Sequence, residues 1–174
     1  MKIDRATLDA LKKQDLGPAS NIFHKELIEK QVNIPFKSIN TSLMKLFKRY
    51  ISRNVEGKCC KEGYIARNMS DIVSYTAGNV SGSEVVYNIV VRVYVCYPYE
   101  DMEVPCIVES ITKIGMKAIV SKNENPMVIF ISREHNPQVD MEKYDEGSDI
   151  KVKIIGHRFE INDKYISALG ELIE

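Results

Sequence analysis

The chain has 174 residues, 44% of them apolar, with 24 basic and 24 acidic side chains and a formal net charge of zero. That length fits one large domain or two small ones around a packed core, and no apolar run approaches the ~20 residues needed to span a bilayer. Residues 1–11 carry Asp4, Arg5 and Asp9 where a signal peptide would need an apolar block, so an intracellular protein with no membrane partner is expected.

The charge is unevenly placed. Residues 1–98 hold 15 Lys/Arg against 9 Asp/Glu, and residues 99–174 hold 9 against 15. Such a division implies different partners for the two halves. It also implies that any nucleic acid on the second half is bound locally and weakly, because the long-range field there repels phosphate.

Residues 1–16 read as a short amphipathic helix with Leu8 and Leu11 on its apolar side, closed by Gly17-Pro18. Asn21 to Ile34 has a roughly alternating character that predicts a strand, ended by Pro35. From Ser38 to Arg53, the residues Ile39, Leu43, Leu46, Phe47, Tyr50 and Ile51 recur at helical spacing, with Ser38 or Asn40 as N-cap. The other face of that helix carries Lys45, Lys48, Arg49 and Arg53, and no acid occurs between Lys37 and Val55. A solvated surface is the ordinary reading of such a face, and docking onto an acidic partner is the sharper one.

The segment from Val55 to Ile65 predicts strand, tight loop, strand, with Gly57 and Gly63 free to take positive φ. Residues 76–83 read as a flexible loop by composition. Val85 to Tyr97 alternates strictly and predicts a long strand, and Pro98 marks a domain boundary. Beyond it, five short strands are expected at Val104–Thr112, Met116–Val120, Met127–Ser132, Ile150–Gly156 and Phe159–Leu169, with a longer connection from Arg133 to Gly147. Five strands in so short a stretch predict a small barrel of OB type.

No catalytic constellation emerges. The chain lacks G-x-S-x-G, H-E-x-x-H and a phosphate-cradling glycine loop, since Gly78 and Gly82 are not followed by Lys-Ser/Thr. The acidic run Asp140, Glu142, Asp145, Glu146, Asp149 lacks the spacing of a calcium loop and reads as a solvated loop. The four cysteines, Cys59, Cys60, Cys96 and Cys106, offer neither a disulfide framework nor zinc-ligand spacing. Cys59 lies between Lys58 and Lys61, which invites a lowered pKa. With no histidine near it in sequence, a structural or interfacial thiol is the expected role. The reading is of a non-enzyme with no cofactor and no metal.

Three stretches carry a family resemblance. They are Val55-Glu56-Gly57-Lys58-Cys59 with Gly63-Tyr64-Ile65; the run from Val85-Val86-Tyr87 to Cys96-Tyr97-Pro98-Tyr99 with Glu103-Val104; and an S1-type pattern of Val108, Ile111, Gly115, Val128-Ile129-Phe130-Ile131-Ser132, Gly147, Ile150-Lys151-Val152-Lys153-Ile154, Ile166 and Gly170. Across about Asn21 to Ile173 the chain resembles the stalk subunit of multisubunit DNA-dependent RNA polymerases, the seventh-largest subunit of eukaryotic RNA polymerase II and its archaeal counterpart. The resemblance implies an α+β fold in three parts: an extension at 1–19, a truncated RNP-like domain at 20–98, and a five-stranded OB (S1-type) β-barrel at 99–174.

It further implies a non-catalytic role in DNA-templated transcription. Gly57, Lys58, Cys59, Cys60, Lys61, Glu62, Gly63 and Tyr64 would form the tip loop that docks on the largest core subunits near the clamp base. A compact loop with little side-chain bulk suits entry into a groove, with Lys58, Lys61 and Glu62 at its rim. A small stalk partner subunit usually pairs with such a protein, and nascent single-stranded RNA would touch the barrel.

Barrels of this type hold RNA by aromatic stacking and basic groups on one face. The candidates are Lys113, Lys117, Phe130, Arg133, His135, Lys151, Lys153 and Arg158. Ile114 and Met116 stand beside Gly115 where S1 domains often have an aromatic residue, which predicts weak, sequence-tolerant binding. The extension, the sparse aromatics and the divergent barrel would suit a polymerase encoded by a large DNA virus. Localisation would then follow the transcription machinery, in the virion or host cytoplasm, or in the nucleus of a cellular eukaryote. The competing reading is a free-standing S1-type RNA-binding protein of translation or RNA decay, for which the region before residue 98 would be superfluous.

Overall fold

The computed structural model describes residues 22–39 and 42–173. The anticipated helix at 1–16, the 1–19 extension and the candidate cap Asn40 lie outside the described residues.

Along the chain, β1 (Phe23–Pro35) passes through a 3-10 turn at Phe36–Ser38 to the helix α1 (Leu43–Asn54). The hairpin β2 (Cys59–Cys60) and β3 (Gly63–Ile65) follows, then β4 (Asp71–Tyr75), β5 (Asn79–Ser81) and β6 (Glu84–Cys96). The remainder is β7 (Glu103–Thr112), β8 (Gly115–Ile119), β9 (Met127–Ser132), a 3-10 turn at Met141–Lys143, β10 (Asp149–Arg158) and β11 (Ile166–Ile173). The described chain is thus mostly β with one α-helix.

The alternation in Val85–Val95 places Val85, Tyr87, Ile89, Val91, Val93 and Val95 on one buried face of β6. β6 pairs antiparallel with β1 over the whole of that strand, Phe23 opposite Cys96 and Pro35 opposite Glu84, with no slip in register. Its other edge takes β5, β4 and β3 in turn. α1 closes the buried face of this sheet with Phe47 and Ile51, against Ile28, Val32, Val91 and Val93. Phe47 is fully buried, its ring centroid 5.3 Å from both Tyr75 and Tyr87.

The second half closes into a barrel in the order β7-β8-β9-β11-β10, with β10 returning to β7. All pairs are antiparallel except β9 with β11, which runs parallel from Ile166 opposite Met127 to Leu169 opposite Phe130. This five-strand arrangement is consistent with an OB-like barrel. Val104, Cys106, Met116, Ala118, Ile129, Ile131, Val152, Ile154 and Ile166 fill its interior. Asn136 staples the long connection to the barrel: its Nδ2 donates to the Ser132 carbonyl (2.9 Å) and its Oδ1 accepts the Leu172 N–H (2.7 Å).

Several boundaries differ from the sequence reading. The helix begins at Leu43, because Ser38 is taken into the preceding 3-10 turn. Residues 76–83, read as a flexible loop, contain β5, which pairs with β6 around a turn at Gly82, whose φ is +60°. The last strand is displaced. Phe159 belongs to the connection, where Glu160 N–H donates to the Asp163 carboxylate at 2.7 Å, and β11 starts only at Ile166. The two cores also do not divide at Pro98, since Ile22, Cys59, Tyr64 and Cys96 pack into the barrel's cluster.

Gly63 is a position where the fold needs a missing side chain. Its φ is +124°, and a Cβ there would collide with the Cys96 carbonyl oxygen. Gly63→Ala should therefore cost on the order of 3 kcal/mol in a urea unfolding experiment. Gly82→Ala, with positive φ but nothing near the added carbon, should cost only about 1 kcal/mol. Equal effects would show that close approach at β3 is unimportant.

Candidate functional site

Two surfaces follow from the sequence: the hairpin at Gly57–Tyr64 and the outer face of the barrel. The hairpin is set up by the end of α1. Val55 and Glu56 N–H groups both donate to the Ile51 carbonyl, and Gly57 turns the chain at φ +70°. The Glu56 carboxylate, buried with its residue, accepts the N–H groups of Asn68 (3.0 Å) and Ser70 (3.2 Å), which orders the loop after β3. A residue that looks like an exposed charge in the sequence is thus an internal anchor.

The hairpin does not stand out as a free plug. Cys59, Cys60, Tyr64, Gly57 and Gly63 are buried; Lys58 and Glu62 are half-exposed, and only Lys61 is fully exposed. Cys59 N–H donates to the Asp163 carbonyl (2.8 Å), and the Cys59 carbonyl accepts the Asn162 N–H (2.9 Å), so the β10–β11 connection is bonded to β2 as a strand would be. Tyr64 Oη donates to Glu124 Oε1 at 3.1 Å, and the same oxygen accepts the Arg67 N–H at 2.7 Å. Burial first, then the Glu124 charge and hydrogen bond, push the Tyr64 phenol well up from its ordinary pKa and keep it a donor. The polar surface left for a docking partner is Lys58, Lys61 and Glu62.

The lowered pKa that Lys58 and Lys61 invite for Cys59 does not arise in the fold. Burial pushes its thiol up to about 12, with Asp163 and Cys60 adding to the rise. The flanking lysines do not offset this, because Lys61 points into solvent while the sulfur is enclosed. Burial likewise raises Cys60 to about 11, Cys96 to about 12 and Cys106 to about 12. The Cys60 thiol, donating toward Glu62, holds that carboxyl below its usual value. Among the described residues no group of three His, Cys, Asp or Glu side chains could hold a metal ion.

On the barrel, the eight RNA candidates fall into three groups. Lys113 and His135 are exposed at the β7–β8 end, where Arg133 N–H donates to the Ile114 carbonyl (3.2 Å). Lys151 and Lys153 face β7 and its approach. Lys151 is paired with Glu103, and Lys153 Nζ lies 2.7 Å from Asp101, which raises the Lys153 pKa. Lys117 and Phe130 face each other across β8 and β9, and Leu169 of β11 lies on the other side of Phe130. Lys117 is tied to Glu109 at 2.6 Å.

Phe130 of the third group and Arg158, the remaining candidate, share a concavity on the barrel. Gly156 sits opposite Leu169 just past the bulge in β10 and leaves open space above it. Phe130, His157, Arg158, Ser167 and Leu169 line the resulting groove of about 330 Å³. Phe130 is 43% exposed and Leu169 46% exposed, so neither belongs to the core. Beside it, His157 stacks on Phe159 with centroids 6.1 Å apart and planes 14° apart, and Tyr97 meets His157 edge-on at 5.2 Å. Arg158 is exposed and reaches Glu160 at 3.1 Å. Groove and stack together offer flat apolar surfaces with one guanidinium at the rim.

Sequence reading missed Tyr97, His157, Phe159 and Leu169. The period-two relation of His157 to Phe159 was the available signal, and it was obscured by ending β10 at Gly156. Ile114 and Met116 part company in the fold: Ile114 is exposed at the turn and Met116 is buried.

With the thiols enclosed, none of the four cysteines should react with Ellman's reagent at pH 8 until the protein is unfolded. The folded state holds these protons more tightly than the unfolded one, whose thiols titrate near 9.0. Their stabilising contribution is therefore complete below that pH and is lost as pH rises toward about 12. Urea midpoints should fall steeply over that interval. Rapid labelling of Cys59 in the native state would contradict the buried junction. No known family's model matches the chain, and no curated protein matches it in sequence.

Proposed function

We propose that this chain is a non-catalytic, stalk-type subunit of a multisubunit DNA-dependent RNA polymerase, its sheet-and-helix half RNP-like and its barrel of the OB, S1-like type. The observation that carries the reading is the place of the Val55–Ile65 hairpin. It sits between the two cores, bonded to the sheet through Tyr64 opposite Cys96 and to the barrel through Asp163 and Glu124. An element so placed fixes the barrel's direction relative to whatever the first half grips. That is what a stalk requires and what a free RNA-binding barrel would not.

In this reading Lys58, Lys61 and Glu62 are the docking rim, while Cys59, Cys60 and Tyr64 hold the rim in place. The barrel touches nascent RNA along the groove of Phe130, His157, Arg158 and Leu169. Affinity is low because Lys117, Lys151, Lys153 and Arg158 are each engaged by a carboxylate, and releasing them offsets part of the phosphate attraction.

The chain, epitope-tagged in the cells or virions that express it, should co-purify with the two largest polymerase subunits. Lys61→Glu combined with Lys58→Glu should reduce that recovery without altering the melting temperature. Recovery of ribosomal or RNA-decay components without polymerase would instead establish the free-standing RNA-binding reading. Fluorescence anisotropy with labelled single-stranded RNA at low salt should give micromolar or weaker, sequence-tolerant binding. Phe130→Ala should weaken it about tenfold, the lower part of the range for losing one stacked base. Nanomolar, sequence-specific binding would exclude the passive role assigned to the barrel.

A further inference from the structure

β1 is the outermost strand of its sheet. It pairs with β6 along one side, and among the described residues nothing pairs with the other. Alternate peptide groups of an antiparallel edge strand point away from its partner, so roughly half of the N–H and C=O groups over 13 residues face outward unpaired. Native edges are commonly blunted by shortness, bulges, internal proline or a covering element. β1 is long, keeps an unbroken register and carries proline only at its last position. Its charges, Lys25, Glu26, Glu29 and Lys30, project to the sheet's faces rather than along its edge.

α1 runs beside this edge. Between them lies a groove of about 210 Å³, floored by Val32, Ile34, Leu46 and Tyr50 and rimmed by Arg49 and Arg53. The two arginines are one helical turn apart, and among the described residues neither has an ion-pair partner. No acid of the segment from Lys37 to Val55 is available to supply one.

We propose that the free edge of β1 takes up an extended segment of a partner protein as an added antiparallel or parallel strand. Every second side chain of that segment faces α1. It is apolar where Leu46 and Tyr50 lie and a carboxylate where Arg49 and Arg53 overhang. The backbone edge supplies the affinity and the groove with its two guanidinium groups supplies the selection, the division of labour expected of strand addition. The acid-free basic rim of the groove favours an acidic segment as the occupant, and a second copy of this chain paired along β1 is an outcome that the test distinguishes. The proposal goes beyond the polymerase reading and does not depend on it.

A library of random 12-residue peptides displayed on phage, selected against the full chain, tests it. Enriched peptides should carry Asp or Glu and apolar residues at positions of one parity. Selection against Arg49→Glu/Arg53→Glu should replace the acids by Lys or Arg, and a winning acidic peptide should bind that variant at least tenfold more weakly. Hydrogen exchange on the full chain with that peptide bound should slow along Phe23–Pro35. Failure to enrich, enrichment without the parity pattern, or equal binding to both proteins would overturn the proposal. So would a chain that sediments as a dimer with β1 protected in the absence of peptide.

Discussion

The structure turns on the way β2 and β3 are held between two bodies. Tyr64 lies opposite Cys96 on β6 and packs into the barrel's core, and its hydroxyl reaches Glu124 in the β8–β9 connection. Cys59 exchanges two backbone hydrogen bonds with the β10–β11 connection. A hydrogen bond to a charged acceptor in a partly buried setting contributes roughly 1.5–3 kcal/mol, and Tyr64 makes one such bond beside the two backbone bonds of Cys59. Gly63 is required because β3 passes so close to β6 that no side chain fits. Beside this junction, the sheet meets the barrel through Ile22 and Cys96 in the barrel's cluster and through the chain after Cys96.

That arrangement explains the thiols. Three of the four cysteines border the junction or the strand leading into it, and the fourth lies inside the barrel. Each is a small apolar filler where two backbones approach closely, and burial keeps each protonated. Reactive cysteines need an electropositive, accessible setting, and the lysines beside Cys59 in sequence do not provide it, because Lys58 is the strand neighbour on the opposite face and Lys61 lies exposed in the turn while Cys59 is buried. Adjacency in sequence is a poor guide to adjacency in space at a turn.

How much of this was legible beforehand varies with the kind of signal. The alternation in Val85–Tyr97 and the five short apolar runs after Pro98 led to β6 and the barrel strands, because period two with one buried face is a direct imprint of packing. The turns at Gly57 and Gly63 were legible for another reason, as glycine takes positive φ without steric cost. What was not legible depends on pairs distant in the chain. Glu56 reads as a surface charge until Asn68 and Ser70 come round to it, and Glu124 reads as part of a polar turn until Tyr64 arrives. β5 was hidden because Asn79-Val80-Ser81 has a loop's composition and becomes a strand only by pairing with Val85 and Val86. The displaced last strand has a similar cause: Asn162 and Asp163 bond to Cys59 and Glu160 instead of continuing the ladder.

The charge asymmetry between the halves takes on a physical form in the fold. In the barrel, acids sit where they engage the lysines: Glu109 with Lys117, Glu103 with Lys151, Asp101 with Lys153. Those cations are spent internally, and the surface that remains is aromatic and apolar around Phe130, Leu169 and the His157–Phe159 stack. In the first half the reverse holds, since α1 presents Lys45, Lys48, Arg49 and Arg53 with no acid on the helix to engage them. A free cation cluster attracts a protein or polyanion from a distance, whereas a neutralised apolar groove acts only on what is delivered to it. The first half therefore presents its helix cations to solvent, whereas the barrel pairs three of its lysines with carboxylates of its own.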